Sequence, residues 1–471
     1  MAVDLNKSES CSVAELVALV KHLLQRMETL VAENACLKEQ LRASKRATAP
    51  FSKGKPNRAP KKPGRRAGEG RFERRALPEP GPVERVEEMY VPLESLDCPR
   101  CGASLALVEQ VAYVYDTLPQ TVRSTRRSRV EHGRCHVCKW TGRGRHEGLA
   151  AGQHGATAHR TGRNGMARAL TLYYHYGLPL SKVPAVIAAA TGIRLTQSAL
   201  TQAAAALAAE GGVVHTAYQE IRAAVPASAV VNTDDTGWRI GGAGALLMGF
   251  FTPLLAVFQI RWQHRHQEVV EVLTTCFEGL LGTYRGTSYE AEALDGIEQQ
   301  KCLSQLLKNL STMEETRSGR ALTFTRELKE TLREATKVWQ EYIAGTCGLE
   351  AYREQGTRIR QRLDHQLRDR RLKDTDHQRL LDGIGRQHDR GRVLLFLEHP
   401  EVEPTNNRAE RGLRGAVIAR KVSHCSKNER GARTCKAIKS VTATIALRGR
   451  GVSKALGDLI QGMPMSTAAD R

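Results

Sequence analysis

The chain has 471 residues, which is enough for two or more domains with cores of their own. No run approaches the roughly 18 apolar residues of a membrane span, and no secretory signal is evident, so we expect a cytoplasmic protein. Lys and Arg exceed Asp and Glu by 71 − 50 = 21, which favours nucleic acid as a partner over a ribosome-associated or merely basic protein, and an odd count of 11 cysteines argues against a disulfide framework.

A heptad repeat of apolar residues occupies residues 13–43. Its two seam positions hold Leu16, Leu23, Leu30 and Leu37, and Val13, Val20, Met27, Asn34 and Leu41. This period predicts a left-handed coiled coil within residues 1–43 that joins copies of the chain into a homodimer or a higher homo-oligomer. Asn34 at a seam position favours one register. The alternative is an amphipathic helix docked on the chain's own core.

Residues 44–85 form a basic linker. Prolines at positions 50, 56, 60 and 63 break any helix, and the excess of positive charge predicts a disordered segment that lies along DNA phosphates by counterion release. The candidate DNA-binding residues are Lys53, Lys55, Lys61, Lys62, Arg65 and Arg66. A solvated tether without a specific ligand is the alternative.

Two Cys-x-x-Cys pairs lie within residues 86–148, which we interpret as a zinc-binding module. Thiolates of Cys98, Cys101, Cys135 and Cys138 suit one tetrahedral zinc, and because they leave no open coordination position the zinc would be structural. A redox pair or core thiols without metal are the alternatives.

The next segments predict an α+β core. Residues 149–225 are rich in alanine and predict a helical linker or DNA-binding region. Strands are then predicted at 229–233, at 238–240 joined with 246–251, at 254–261 and at 280–283, with a helix near 266–277 before the last strand. This order is that of a ribonuclease H-like fold. We place that core, a mixed sheet flanked by helices, at 226–450, with a helical insertion at about 310–395 and a C-terminal tail at 451–471.

Two acidic residues stand where a two-metal phosphoryl-transfer site needs them. Asp234 closes the first predicted strand, Glu410 lies in a predicted helix, and Tyr284 follows the strand at 280–283. Such sites use acidic oxygens because each divalent ion must be held while it polarises the attacking or leaving oxygen. Asp235 points to the opposite face of the strand by alternation, so we expect it to be structural.

Several strings of residues resemble the insertion-sequence 66 family of bacterial transposases across nearly the whole chain. They include Asp234-Asp235-Thr236-Gly237-Trp238-Arg239, Gln300-Lys301-Cys302-Leu303 and Asn406-Asn407-Arg408-Ala409-Glu410-Arg411, and the last of these strings is the highly specific one. The resemblance implies a DDE-type transposase that cleaves the ends of a mobile element and joins them to target DNA, with Mg²⁺ or Mn²⁺ held by Asp234 and Glu410. It also implies a nucleoid-associated bacterial protein and accessory proteins encoded by the same element.

Two positions depart from that family. Tyr284 stands where the family has its second catalytic Asp, and Gln305 stands where it has a His. Neutral tyrosine is a poor ligand for a hard cation. Besides an active transposase, the sequence therefore leaves open a catalytically dead, oligomerising DNA-binding derivative and a metal nuclease without strand transfer.

Basic residues near the predicted Glu410 helix are candidates for phosphate contacts. They are Arg411, Arg414, Arg420, Lys421 and Lys427. A solvated basic face is the alternative reading of this cluster.

Overall fold

The computed structural model describes residues 17, 20–34, 132–134, 138, 141–143, 161–316, 320–368, 375–423 and 425–465. Contacts divide the chain into two units, Met1–Tyr113 and Val114–Arg471. In the first unit, residues 20–34 form helix α1, and its apolar side chains are about half exposed, as Leu23 at 53% and Leu30 at 49% show. The self-association predicted for residues 13–43 stays a prediction.

The second unit begins with a small antiparallel hairpin of β1, His132–Arg134, and β2, Thr141–Arg143. The exposed Cys138 lies between these two strands. Cys98, Cys101 and Cys135 lie outside the described residues, as does the whole basic linker. The zinc module therefore stays a prediction, with one of its four cysteines placed.

The remaining elements of the second unit follow in chain order. The strands are β3 Val230–Ile240, β4 Ala243–Phe251, β5 Ala256–Arg261, β6 Leu280–Thr283 and β7 Gln299–Lys301. The helices are α2 Arg163–Leu170, α3 Val183–Thr191, α4 Gln197–Leu207, α5 Val213–Ala224, α6 His266–Leu273, α7 Leu303–Thr316, α8 Arg320–Ile343, α9 Leu349–Leu367, α10 Thr375–Asp389, α11 Asn407–Ser423, α12 Glu429–Leu447 and α13 Val452–Ile460. Within the described ranges, every helix is too short or too polar to cross a membrane.

A mixed five-stranded sheet organises this unit, with strand order β5-β4-β3-β6-β7. β3, β4 and β5 run antiparallel to one another, α6 crosses to β6, and β6 and β7 run parallel to β3. Helices flank the sheet. The predicted order of three antiparallel strands, a helix and a further strand is confirmed, and the architecture is compatible with a ribonuclease H-like core.

One predicted boundary is wrong. The sequence predicts one strand that ends at Thr233 and another that begins at Trp238, whereas β3 is continuous through Ile240. β4 pairs with β3 from Asn232 to Ile240, so the polar stretch has backbone partners along its length. The turn falls instead at Gly241 and its neighbour, which both have positive φ (59° and 91°), a conformation that glycine adopts without steric cost.

Helices from both ends of this unit share one hydrophobic core with the sheet. α12 lies along β5, where the Ser440 and Thr444 hydroxyls accept hydrogen bonds from the backbone of Phe258 (2.8 Å) and Ala256 (3.0 Å). α13 packs against α2 and buries Leu456 completely. The segment interpreted as a C-terminal tail thus contains a helix whose apolar face belongs to the core.

Helices α7 to α10 connect β7 to α11 and surround a second hydrophobic cluster. Leu306, Leu328 and Leu363 are fully buried in it, and the Tyr352 hydroxyl donates to the Phe396 carbonyl. These helices occupy the stretch in which the sequence predicted a helical insertion. These helices place more than a hundred residues of the chain between β7 and Glu410.

Candidate active site

Helix α11 brings Glu410 to the carboxyl half of β3, where Asp234 lies. The helix packs on β3 and β4 with Ala409 and Leu413 buried, while Glu410 in its first turn is exposed. Gly412 permits this close approach, because a Cβ there would collide with the Phe251 ring. Asp234 stands two residues beyond the last paired residue of β3 and β6, so its side chain is near the open end of the sheet.

Asn406, immediately before α11, fixes the helix to the catalytic strand. Its side-chain amide donates to the Thr233 carbonyl (2.8 Å), and its side-chain oxygen accepts from the Asn232 amide (3.2 Å). Its backbone carbonyl accepts from the backbone N–H of Glu410 (3.1 Å). Asn406 is 1% exposed. One buried side chain therefore sets the position of Glu410 relative to Asp234. The sequence string that contains Asn406 resembles the family, but it does not by itself indicate this role.

The electrostatics show that the two acids are neighbours. Burial, with smaller contributions from the charges of Asp235 and Glu410, raises the pKa of Asp234 to about 6, although a backbone hydrogen bond from Asp235 and the charge of His264 lower it. A buried carboxylate that gains proton affinity beside a second carboxylate indicates a site short of positive charge. A divalent cation would supply that charge.

Tyr284 lies with a different group of side chains. Its hydroxyl is 3.4 Å from Nδ1 of His264 and hydrogen-bonds to the Asp235 carboxylate, and its ring stands edge-on to that of Tyr289 with centroids 5.4 Å apart. Burial and the bond to Asp235 raise the pKa of Tyr284, so the phenol stays neutral. At the position of the second acid, the chain thus has an uncharged ring that packs on other residues.

Asp235 has the partners of a structural residue, as expected. Its carboxylate is 3.2 Å from Nδ1 of His264. Burial alone would raise the pKa of Asp235, but hydrogen bonds from His264 and Tyr284 hold it below its usual value. The contact between His264 and Asp235 is not predicted by the sequence, because the two residues are 29 positions apart and no local pattern relates them.

The residues present fit a divalent cation only in part. Asp234 and Glu410 offer carboxylate oxygens of the kind that Mg²⁺ or Mn²⁺ binds. Among the described residues, however, no group of three or more His, Cys, Asp or Glu side chains is arranged to hold a metal ion. Two carboxylates with one neutral phenol make a weaker donor set than three acids.

The other predicted phosphate-binding residues that the structure describes lie on α11 or shortly after it. Arg411, Arg414, Lys421 and Lys427 are exposed, whereas Arg420 is half-buried and its guanidinium donates to the Thr236 hydroxyl (3.1 Å) and to the Gly237 carbonyl. Arg420 thereby ties α11 to β3. The predicted DNA-binding residues from Lys53 to Arg66 lie outside the described part of the chain.

The structure also places Gln305, which departs from the family pattern, and Asp295, an acidic residue that follows Tyr284 in the chain. Gln305 lies in the first turn of α7, where its backbone N–H bonds to the buried Cys302 thiol, which also accepts the backbone N–H of Asn406 (3.2 Å). Asp295 pairs with Arg392 (3.1 Å). The structure therefore gives Asp295 a partner of its own, and it is not a substitute for the missing acid.

Comparison with known families agrees with this geometry. The mixed sheet flanked by helices is compatible with a ribonuclease H-like core. Residues 159–434 match the family described as transposase IS66 family, which is more than half of the chain. The chain belongs to the IS66 family of transposases. A search of curated proteins found no match.

Proposed function

We propose that this chain is a DNA transposase of an insertion sequence by fold and descent, with a site at Asp234 and Glu410 that acts on the phosphodiester bonds of bound element ends once an acid replaces Tyr284. The observation that supports it most directly is the pairing of these two acids by α11 and Asn406 in a chain of a transposase family. Family membership implies DNA as the partner and a divalent metal as the cofactor.

Asp234 and Glu410 would hold Mg²⁺ or Mn²⁺. A bound cation of this kind polarises the attacking or leaving oxygen of the phosphodiester. Asn406 keeps the Glu410 carboxylate in place, and the contact between Asp235 and His264 ties the middle of β3 to the loop after β5. Arg411 and Arg414, exposed one and four residues after Glu410, lie on the helix where they would bind phosphates beside the scissile bond.

A second candidate function is favoured by Tyr284, whose ring packs with His264 and Tyr289 instead of offering a carboxylate. In this reading the chain is a catalytically dead, oligomerising DNA-binding derivative of a transposase. Asn232 pairs with Gly282 in the β3–β6 register, and Asp234 and Tyr284 each lie two residues beyond that pair, Tyr284 just after the end of β6. Adjacent strands are about 5 Å apart, so an Asp at 284 is near enough to complete the site.

The experiment compares the wild-type chain with Tyr284→Asp and, as a matched control that adds no acid, Tyr284→Phe. DNA carrying the element ends is incubated with Mg²⁺ or Mn²⁺, and nicked and joined products are measured. We expect cleavage from Tyr284→Asp alone, and its loss when Asp234→Ala is added. Joined products support the transposase, and cleavage without joining supports a nuclease.

Two results would contradict this account. Efficient cleavage by the wild-type chain would show that Tyr284 is no obstacle to catalysis. Failure of a folded, DNA-binding Tyr284→Asp variant would show that the missing acid is not the lesion, and the position of Gln305 would be tested next.

The amino-terminal segments extend this proposal. Residues 13–43 would pair two or more copies of the chain, so that two DNA ends meet in one assembly, and the exposed apolar side chains of α1 agree with that role. The basic linker would lie along the DNA backbone, and the four cysteines would hold a structural zinc. A nucleoid-associated location and accessory proteins of the same element follow from the family resemblance.

A further inference from the structure

The loop between β5 and α6 presents an exposed tryptophan, Trp262, close to the candidate active site. Trp262 is 49% exposed and has no hydrogen-bond partner among the described residues. Trp238 and Trp339, by contrast, donate their indole N–H groups to the Ser426 hydroxyl (3.1 Å) and the Pro400 carbonyl (2.9 Å). Of the three tryptophans that the structure describes, Trp262 is therefore the one whose ring face and N–H are both open to a ligand.

The loop is anchored to the catalytic strand two residues further on. The side chain of His264 is 7% exposed, and its Nδ1 lies 3.2 Å from the Asp235 carboxylate. The His264 carbonyl accepts a hydrogen bond from the Ser288 hydroxyl (2.7 Å). Two residues span at most about 7 Å, so the backbone of Trp262 is held at the rim of the site.

The other side of His264 carries positive charge. Arg265 is exposed, and its backbone N–H donates to the Glu268 carboxylate (2.8 Å), which fixes the start of α6. Trp262 and Arg265 are therefore both exposed, and they flank in the sequence a histidine whose side chain is buried. An aromatic face with a nearby cation is the combination that binds an unpaired nucleobase together with its phosphate.

We propose that Trp262 stacks on an unpaired nucleobase of the DNA at this site, with Arg265 on an adjoining phosphate. The proposal rests on the proposed function, because the DNA must first be bound beside Asp234 and Glu410. Within a duplex, each base is paired, and its stacked neighbours cover its faces. A frayed or newly cut end leaves bases without a pairing partner, and such an end would be produced where the acid pair acts.

The test uses the full chain and two DNA duplexes of equal sequence, one blunt and one with a short single-stranded overhang that contains 2-aminopurine. Trp262→Ala should weaken binding to the overhang duplex by about 5- to 150-fold, the range for one lost base stack, with affinity for the blunt duplex unchanged. Trp262→Phe should fall between wild type and Trp262→Ala. Wild type should quench 2-aminopurine fluorescence, and Trp262→Ala should not.

Two controls separate stacking from charge and from folding. Arg265→Ala should lower the slope of log K against log salt by about one, whereas Trp262→Ala should leave that slope unaltered. Leu254→Ala removes a side chain of 45% exposure at the opposite end of β5 and should change neither affinity. Equal thermal melting of the variants would show that all are folded.

Equal losses on both duplexes, no loss on either, or unchanged quenching in Trp262→Ala would overturn the inference while leaving the proposed function intact. A lower oligomeric mass for Trp262→Ala would also overturn it, since the ring would then be part of a protein interface. A wild-type chain that bound neither duplex would refute the proposed function and this inference together.

Discussion

Replacing Asn406 by alanine tests whether one buried amide holds together Asp234 and Glu410, the two acids proposed for catalysis. Asn406→Ala removes the donor to the Thr233 carbonyl (2.8 Å) and the acceptor for the Asn232 amide (3.2 Å). Asn232 is 1% exposed and Thr233 is fully buried, so both groups lose a partner that water cannot readily replace. Each buried group left unsatisfied costs about 1–3 kcal/mol, which gives a loss of roughly 2–6 kcal/mol for the pair.

That loss is a large share of the roughly 5–15 kcal/mol by which a domain is stable, so the expected change is easily measured. Urea unfolding at neutral pH should give a markedly lower midpoint for Asn406→Ala. Asn407→Ala is a matched control, because Asn407 is the next residue of the same motif, half-buried, with no side-chain hydrogen bond among the described residues. Its effect should stay within about 0.5 kcal/mol.

A second measurement separates positioning from stability. In a cleavage-competent Tyr284→Asp background, a shift of Glu410 by about 1 Å should cost on the order of a hundredfold in rate under conditions where the variant is still folded. An Asn406→Ala protein that unfolds at the wild-type midpoint and cleaves at the rate of Asn407→Ala would refute the reasoning.

Four further predictions concern charge, metal and assembly. Burial and the nearby carboxylates hold the pKa of Asp234 at about 6 against an ordinary value of 3.8, so the folded state binds a proton that the unfolded state has lost between these values, and stability falls as pH rises through them. Asp234→Asn removes that ionisation and should be about 3 kcal/mol more stable than wild type well above pH 6, with no advantage below about pH 4. Thermal unfolding across pH measures this difference, and a less stable variant at pH 8 would contradict it. Glu290→Gln leaves the fully buried Lys301 without its carboxylate at 2.7 Å and should cost about 3 kcal/mol in urea unfolding, and an unchanged midpoint would show that the pair contributes nothing. Elemental analysis should find about one zinc per chain, lost with local unfolding in Cys135→Ser, whereas a metal-free folded module would exclude zinc. Removal of residues 13–43 should lower the mass measured by light scattering, and an unchanged mass would assign the helix to packing within one chain.

Local patterns were sufficient for the strands and for the two acids. The apolar runs before Asp234 and before Tyr284 predict strands, because apolar content and turn residues are properties of neighbours in the chain. The sheet order confirmed that interpretation. The predicted boundary inside β3 was wrong because residues 234–237 stay in the strand by pairing with β4. Pairing with another strand cannot be predicted from the residues of one strand alone.

Only the tertiary structure decided what surrounds the acids. Asn406 bonds to Thr233 across 173 positions of the chain, and His264 approaches Asp235 across a strand, a turn and a second strand. The sequence shows that residue 284 is a tyrosine, but only the structure shows that its side chain packs on His264. Residue chemistry and short-range periodicity are fixed by the order of amino acids, but which buried polar groups satisfy one another depends on how distant segments pack, because each hydrogen bond requires two groups that the chain brings together only on folding.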